Sequence, residues 1–398
     1  MHDLLRAYAT HLADVEDSEA DRQAALTRLF DHYLAAITAA MDTLIPAEQH
    51  RRPRIPPPTT PTPPMPDPAT ARVWLDTERA TLIAAAAYTA AHGWPGHTTH
   101  LSTTLYRYLD LGGHFPDGLA IHTHALHSAH HADDSAGEAD ALLNLGHIYW
   151  RQGHYQQAAE RLQQALTLTR EIGDRLGEGR ALNNLGIVYW RRGRYQQAAD
   201  HHQQALALFR EIGDRVGEAY ALNSLGNVYR RQGHYQQTVD QLQQALGLAL
   251  EIGDRHSEAD ALTNLGAVYR RQGHYQQAAD HHQQALALFR EIGDQHGEAC
   301  ALNRVGETSV ATRQPDRALA HHTDALTLAT QIGDRYEQAR AHNGLAHAHQ
   351  VAGDLDQARH HWHRALALYT ALGVPDADDV QTFLTALDQA ANDANADS

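Results

Sequence analysis

EGRALNNLGIVYWRRGRYQQAADHHQQALALFREIGDRVG, residues 178–217, is the stretch that decides the fold, because the chain repeats it. The same pattern returns at 218–257, 258–297 and 298–337, and it precedes itself at 138–177, each time shifted by forty residues. A period of about 20 to 50 residues is typical of solenoids, propellers and other repeat arrays. The sequence therefore predicts one structural unit stacked many times.

Each unit divides into two helices. In the first clear copy, helix A covers about 138–151, a turn falls at Gly153, and helix B covers about 155–171 before an Ile-Gly-Asp linker. Glycine suits these helix ends because it adopts left-handed backbone conformations without steric cost. A sixth clear copy lies at 338–377, and a degenerate copy precedes the first. We therefore expect an array of about seven units over 98–377.

Segments of different composition flank the array. Residues 1–50 carry apolar side chains at helical spacing, which predicts a small helical segment. Residues 51–70 contain nine of the fourteen prolines, so we expect an extended linker, the alternative being a ligand for a proline-recognising domain. Residues 71–97 form a helical lead-in, and residues 378–398 form a capping helix with an acidic tail.

The composition excludes several classes of function. A net charge of −16 argues against a general binder of nucleic acid or of acidic membranes. All 32 basic residues are arginine, so a P-loop lysine and a Schiff-base lysine are both missing from this sequence. The single cysteine, Cys300, excludes an intramolecular disulfide and a cysteine-rich zinc site. We therefore expect a protein that is not an enzyme and needs no cofactor or metal.

The hydropathy of the sequence predicts where in the cell the protein is located. No apolar run reaches the length of about 18 residues that a membrane span requires, and the first residues include acids where a signal peptide carries basic ones. We therefore expect a cytoplasmic protein with no membrane contact. The oligomeric state is open.

Spaced apolar and small residues within the unit define its family. They are Leu182, Leu185, Gly186, Tyr189, Gly193, Tyr195, Ala198, Ala205 and Leu206. This pattern resembles the tetratricopeptide repeat. The unit length of forty residues resembles that of kinesin light chains. The resemblance implies an all-α fold, a right-handed α-solenoid of tandem helix pairs with the A helices on its concave side. It also implies a protein or peptide partner held in that groove.

The N-terminus carries a second resemblance. Met1-His2-Asp3 is similar to the Met-His-Asp motif near the end of the nucleotide-binding module of NB-ARC (STAND) ATPases. The segment 74–79, WLDTER, is similar to one that precedes tetratricopeptide repeats in actinobacterial regulators of that class. The resemblance makes His2 the counterpart of a histidine that touches the nucleotide phosphate. A Walker A loop cannot be present without lysine, so the resemblance implies the sensor part of such a regulator rather than its ATPase.

The candidate binding residues are those that vary or recur as polar groups on helix A. Positions i, i+4, i+7 and i+11 share one helical face, and asparagines form an adjoining column. Asparagine offers a donor and an acceptor to a peptide backbone, and arginine offers bidentate contacts to carboxylates. The predicted groove residues are Asn144, His147, Arg151, Arg180, Asn183, Asn184, Arg191, Tyr220, Asn223, Asn227, Arg231, Asn264, Arg271, Asn303 and Asn343. The alternative is a solvated polar face without a partner.

The 31 histidines raise the question of a metal site or of acid–base chemistry. Three of them, His202, His282 and His322, stand where other copies have an apolar residue, which predicts packed rings rather than ligands. His127, His130 and His131 have a spacing that could bind a metal together with a carboxylate, but no metalloprotease motif accompanies them. So many histidines also predict a steep gain of positive charge between pH 7 and about pH 5.5.

These observations favour a scaffold that is not an enzyme and binds a peptide or protein segment in its groove, as the sensor part of a signalling or transcriptional regulator. The alternative is a signalling-peptide receptor whose superhelix changes shape when it binds its ligand. The sequence does not identify the partner.

Overall fold

The computed structural model describes residue 12, residues 15–58 and residues 60–396. Every regular element in these ranges is helical, and no strand occurs among them. The motif at residues 1–3, including His2, lies outside the described residues.

Two long helices and a short 3-10 helix precede the array. Helix α1 (Glu19–Leu44) starts at Ser18, whose side chain caps the helix by accepting a hydrogen bond from the backbone N–H of Asp21. The 3-10 helix (Pro46–Arg51) follows, and α2 (Pro68–His92) ends at Gly93 in the left-handed conformation. In the stretch between them, the described residues 52–58 and 60–67 form neither a helix nor a strand. Apolar residues of α1 and α2 share one core with the first helix of the array.

The array consists of seven helix pairs and a final helix. The A helices are α3 (Pro95–Leu111), α5 (Ser135–Arg151), α7 (Arg175–Arg191), α9 (Arg215–Arg231), α11 (Arg255–Arg271), α13 (Gln295–Ala311) and α15 (Arg335–Ala352). The B helices are α4 (Phe115–His131), α6 (Tyr155–Ile172), α8 (Tyr195–Ile212), α10 (Tyr235–Ile252), α12 (Tyr275–Ile292), α14 (Pro315–Gln331) and α16 (Leu355–Leu372). Helix α17 (Asp376–Ala396) follows the last pair.

Small residues on the A helices allow the two helices of a pair to pack closely. A Cβ atom on Gly146 would lie 2.6 Å from Cγ of Leu162, and one on Gly186 would lie 2.5 Å from Cε1 of His202. Glycine is therefore required here for close approach rather than for a turn. The recurring alanine of each B helix, such as Ala205, is fully buried in the same interface.

Two local features recur in the turns between helices, a glycine with positive φ and an aspartate that caps the next helix. The glycine of each of the five Ile-Gly-Asp linkers has a positive φ, as Gly173 does at 73°. The aspartate that follows caps the next helix, as Asp174 does by accepting a hydrogen bond from the N–H of Gly177. Arg313 stands where other copies have the turn glycine, and it keeps the positive φ, 55°, of that position. The conformation of this turn is therefore retained without glycine.

The array winds so tightly that distant repeats contact each other. Consecutive A helices pack against one another and form the inner wall of the solenoid. Phe115 and Ile148, in the first two pairs, share an apolar cluster with Ile332 at the end of α14. The Arg72 side chain donates a hydrogen bond to the carbonyl of Ile292. The chain is thus an all-α solenoid whose early and late repeats touch.

Candidate binding channel

The inner wall of the solenoid encloses a cavity of about 630 Å³, which we call the channel. Each of the seven A helices contributes lining residues, and the 3-10 helix lies at its edge. Representative lining residues, one from each A helix in order, are Tyr106, Trp150, Arg191, Asn227, Arg271, Arg304 and Arg340. A cavity of this size is within the range of ligand-binding sites in proteins.

Contacts between repeats four units apart narrow the channel. The rings of Trp150 and His296 meet edge to face, with centroids 6.1 Å apart. One unit further on, the guanidinium of Arg191 lies 3.7 Å from the centroid of the Tyr336 ring. One unit further again, Nη2 of Arg231 lies 2.8 Å from a carboxylate oxygen of Asp376 at the start of α17. Equivalent positions therefore join successive turns of the coil at Arg191 and Arg231, and the contact of Trp150 lies one residue earlier in its own copy.

The 3-10 helix inserts an acidic side chain into the channel. The hydroxyl of Tyr220 donates a hydrogen bond to Glu48 (3.1 Å), and Nε of Arg107 lies 3.0 Å from the same oxygen. Burial raises the pKa of Glu48, but the charges of Arg107 and Arg51 outweigh it and leave that pKa below its usual value. Arg51 also pairs with Asp214. The channel thus already holds one carboxylate in its ionised form.

Thirteen of the fifteen predicted groove residues line the channel. They are His147, Arg151, Arg180, Asn183, Asn184, Arg191, Tyr220, Asn223, Asn227, Arg231, Asn264, Arg271 and Asn343. Asn144 and Asn303 do not line it, and both are almost completely buried. Asn144 accepts a hydrogen bond from Arg180 (3.2 Å), and Asn303 bonds to Glu337 (2.9 Å) and His322 (2.9 Å). Their prediction as groove residues requires this correction, because both side chains are used inside the protein.

The asparagine column ties A helices to their neighbours. Oδ1 of Asn183 lies 2.9 Å from Nδ1 of His202 on the paired B helix, and Oδ1 of Asn343 accepts a hydrogen bond from Nε1 of Trp362 (3.1 Å). The amide of Asn264 donates to Asn223 (2.9 Å). We expected these amides to be free for a peptide backbone, whereas the structure engages them within the fold. Buried amides need such partners, because an unpaired one is costly.

Two more predicted residues are held by a buried carboxylate. Asp110 is almost inaccessible to solvent, and its oxygens lie 2.9 Å from Nε2 of His147 and 3.0 Å from Nε of Arg151. Burial opposes ionisation of Asp110, but the charges of Arg151 and His147 hold the pKa of this carboxyl well below its usual range. Burial also lowers the pKa of His147, although Asp110 acts in the opposite direction. His147 and Arg151 are therefore fixed at the channel wall.

The remaining polar positions are more accessible. Asn184, Ser224 and Asn227 line the channel at half-buried sites. Asn227 accepts one long hydrogen bond, 3.4 Å, from Arg230. These side chains occupy positions i+4 and i+7 of the predicted stripe, and Ile187 lies among them. They offer polar groups to a ligand without a large change in the surrounding structure.

The channel has the opposite charge to the rest of the chain. Twelve arginines line it, against seven carboxylates, although the whole chain has a net charge of −16. The carboxylates are Glu48, Asp260, Asp294, Glu307, Glu337, Asp376 and Asp379. Aromatic rings stand beside the arginines, with Arg151 4.8 Å from the Trp150 ring and Arg191 5.0 Å from the Trp190 ring. The channel therefore favours ligands that are anionic and partly apolar.

Sequence reasoning missed several lining residues. Trp150, Trp190, Arg230 and Arg270 share one column of helix A, immediately before the arginine column that was predicted. The signal was present, because this column changes from tryptophan to arginine between copies while its neighbours stay constant. The insertion of Glu48 had no sequence signal, since it depends on how the N-terminal segment folds back onto the array.

The histidine predictions have mixed outcomes. His202, His282 and His322 are buried against glycines of the A helices, so their interpretation as packed rings is confirmed. Burial is the main cause that lowers the pKa of each to about 3. The predicted gain of charge between pH 7 and about pH 5.5 is therefore wrong for these three. Within the described residues, no group of three or more histidine, cysteine or acidic side chains could hold a metal ion.

Comparison with known proteins places this architecture in a family. The sequence model of the tetratricopeptide repeat matches five overlapping segments: 137–211, 177–251, 217–291, 257–331 and 297–371. Together they cover more than half of the chain. The chain belongs to the tetratricopeptide repeat family, whose fold is a scaffold for protein interactions. No curated protein matches the sequence.

Solved structures are similar in fold. A Rap protein in complex with Competence and Sporulation Factor is 14% identical, with a TM-score of 0.50 over 79% of this chain and 98% of that chain. BtubC from P. vanneervenii is 18% identical, with a TM-score of 0.42 over 56% and 91%. A kinesin light chain with TPR-like repeats from Podosopora anserina is 17% identical, with a TM-score of 0.36 over 48% and 93%. In the part of the chain that the structure covers, no helix is long and apolar enough to cross a membrane.

Proposed function

We propose that the channel binds an extended segment of a partner protein or a peptide, and that binding rather than catalysis is the function of the chain. The observation that carries this proposal is the channel itself, a cavity of about 630 Å³ lined by every A helix of the array. Its arginines and aromatic rings offer charge-assisted hydrogen bonds and stacking surfaces to such a segment.

The binding residues in this proposal are part of the set expected from the sequence, together with Ile187. Asn183, Asn223 and Asn303 act mainly in packing, because their amides bond to other parts of the fold. The ligand contacts fall on Asn184, Ile187 and Asn227, which line the channel. Arg180, Arg191 and Arg271 extend this surface.

The test is to select binding peptides from a random display library with the full chain, and then to measure their affinity for a channel variant. The triple variant Asn184→Ser, Ile187→Ala and Asn227→Ala uses residues that other copies have at the same positions, Ser224 and Ala267. We expect affinity to fall at least about tenfold, because each truncated side chain loses contacts inside an enclosed site.

The matched control is Gln243→Ala with Gln244→Ala, two exposed residues of helix α10. This variant should keep full affinity, and both variants should keep the helix content of the natural chain by circular dichroism. Equal affinity of the natural chain and the channel variant would overturn the proposal.

A second candidate function is a signalling-peptide receptor whose coil changes shape. The contacts between turns, such as Arg191 with Tyr336, favour it, because they must separate to admit a bulky ligand. The Rap structure is that of a protein bound to Competence and Sporulation Factor, which makes this candidate worth testing. Small-angle scattering of the chain with and without a selected peptide separates the two. A receptor changes its radius of gyration on binding, whereas a static scaffold keeps it.

We also propose that the chain is the sensor part of a regulator. This rests on the resemblance of the N-terminal motif, and the helices that follow it, to the end of a regulatory ATPase. In such an arrangement the 3-10 helix carrying Glu48 connects the N-terminal helices to the channel.

A further inference from the structure

The channel holds a cluster of arginines that the neighbouring acidic residues do not neutralise. Arg230, Arg270, Arg304 and Arg340 come from four different A helices, and all line the channel beside Glu307. We call these four residues the arginine cluster.

A single carboxylate, that of Glu307, accepts hydrogen bonds from three of these guanidiniums. Oε1 of Glu307 accepts hydrogen bonds from Nε (2.8 Å) and Nη2 (2.6 Å) of Arg340. Oε2 of Glu307 accepts bonds from Arg270 (2.9 Å) and Arg304 (3.2 Å). The charges of these three arginines outweigh the burial of Glu307 and hold its pKa well below the usual range. The acceptor capacity of this carboxylate is therefore fully used.

The fourth arginine has no acidic partner among the described residues. Its one hydrogen bond to a side chain is a long one, from Nη2 of Arg230 to the amide oxygen of Asn227 (3.4 Å). Burial, together with the like charges of Arg304, Arg231 and Arg340, places the pKa of Arg230 well below its usual value. The neighbouring Arg231 has its own partner, Asp376. Arg230 thus lies among other arginines and makes no ion pair with the described carboxylates, although the charge of Glu307 offsets part of the repulsion.

Unpaired hydrogen-bond donors of the arginine cluster also indicate a site for an anionic group. In the described part of the chain, the Nε–H groups of Arg230, Arg270 and Arg304 are buried and have no hydrogen-bond partner. Buried donors of this kind are rare in folded proteins, because each loses its bond to water and gains nothing. Three of them on adjacent A helices fit a ligand group that supplies several acceptor oxygens.

The charge balance of the cluster indicates how much negative charge that ligand group carries. The cluster carries four positive charges, and the carboxylates within salt-bridge distance of it are Glu307 and Glu337. The cluster thus has two positive charges in excess. A phosphoryl monoester carries about 1.5 to 2 negative charges near pH 7, and two adjacent carboxylates carry a similar charge. Either matches the fork geometry of guanidinium groups.

We propose that the arginine cluster binds a doubly charged oxyanion of the ligand, either a phosphoryl group or a pair of neighbouring carboxylates. This inference rests on the proposed function of the channel and names the chemistry that the ligand brings to it. The cluster and Asn227 act together, with the asparagine orienting Arg230.

The test uses small anions, so that no partner needs to be known. The thermal midpoint of the full chain is measured with inorganic phosphate, with succinate and with sodium chloride at matched ionic strength, and affinity is taken from titrations. An anion that binds only the folded chain raises the midpoint. We expect phosphate or succinate to raise it above the chloride value. A larger effect of phosphate identifies a phosphoryl ligand, and a larger effect of succinate identifies paired carboxylates.

Three variants make the result specific. Arg230→Gln should raise the midpoint in chloride, because it relieves repulsion, and should remove most of the response to the anion. Arg304→Gln should weaken anion affinity at least about tenfold, whereas Glu307→Gln should strengthen it. The control Arg290→Gln removes an exposed arginine that pairs with Glu298 on the outer surface, and should leave affinity unchanged.

The contradicting results are clear-cut. If neither anion raises the midpoint above chloride, or if Arg230→Gln and Arg304→Gln keep the full response, the cluster is not an anion site. A chain that still captures selected peptides through Asn184 and Asn227 would in that case keep the proposed function and lose only this inference. If the chain responds to the anion but captures no peptide, this inference is kept and the proposed function is lost.

Discussion

At the scale of single residues, the pairing between a small residue on helix A and a large one on helix B determines what the polar groups do. Leu162 fills the space beside Gly146, and His202 fills the same space beside Gly186. His202 brings a ring nitrogen into a buried site, and Asn183 supplies its partner at 2.9 Å. The copy with Leu162 has Leu143 in place of this asparagine. The same buried pair of asparagine and histidine recurs at Asn303 and His322, whose Oδ1 and Nδ1 atoms lie 2.9 Å apart.

This pair predicts a pH dependence of stability. Burial lowers the pKa of His202 to about 3 in the folded chain, whereas an unfolded histidine titrates near 6.5. Between these values the unfolded chain binds the extra proton, so the free energy of unfolding falls as the pH falls. The double variant Asn183→Leu with His202→Leu, which copies Leu143 and Leu162, removes this loss. Between pH 7.5 and pH 5.5 it should lose about 1.4 kcal/mol less stability than the natural chain in urea unfolding.

The control for this experiment is the neighbouring histidine. His201 lies on the outer side of the same helix, where its ring bonds to the carbonyl of Gln197. His201→Gln should leave the acid sensitivity unchanged. If the double variant and the natural chain lose equal stability on acidification, then the His202 ring is not held neutral by burial, and this account of the interface fails.

At the scale of elements, the repeated Ile-Gly-Asp linker has one exceptional copy. Asp174, Asp254, Asp294 and Asp334 each cap the helix that follows them, whereas Asp214 makes no such bond to α9. Its carboxylate instead pairs with Arg51 and lies 3.1 Å from His50. Burial raises the pKa of Asp214, but Arg51 outweighs it and leaves a lowered value. One cap has thus been exchanged for a contact that fastens the 3-10 helix to the array.

Removing this contact should release the 3-10 helix while the array stays folded. Arg51→Gln frees Asp214 to cap α9 as its counterparts do, so the thermal midpoint should change little. Trypsin cleavage after the exposed Arg54 should accelerate by about tenfold, because the segment loses a largely buried ion pair. Limited proteolysis with mass spectrometry measures the rate of this cut.

A matched variant checks the specificity of this effect. Arg210→Gln removes an exposed ion pair with Glu218 in the same repeat, and cleavage after Arg54 should keep its natural rate. An unchanged rate in Arg51→Gln would mean that other contacts hold the 3-10 helix. The insertion of Glu48 into the channel would then not depend on Asp214.

At the scale of the whole molecule, the local pattern was sufficient to predict the solenoid. The period of forty residues, the glycine turns and the alternation of helices A and B all follow from residues close in sequence, and the helix bounds agree with them. Most of the residues predicted for the groove line the channel, and their role in binding remains a prediction. The predicted roles of the groove residues were incomplete, because Asn183 and Asn303 bond to partners on other helices.

Long-range contacts explain the rest. Arg231 reaches Asp376, 145 residues away, only because small rotations between successive repeats add up to a tight coil. No single repeat encodes that sum, so the narrowing of the channel had no local signal. The arginine cluster has the same origin, since it brings together side chains from four A helices that vary independently in sequence.

The central claim is that ligands bind inside the channel and not on the outer surface. Photo-cross-linking of a library-selected peptide, with a benzophenone group placed at each of its positions in turn, tests this claim most directly. We expect adducts on the inner wall, at Asn184, Ile187 and Asn227 and at nearby arginines, when the products are mapped by mass spectrometry. Adducts confined to the outer faces of the B helices, for example at Gln243 and Gln244 of α10, would contradict it.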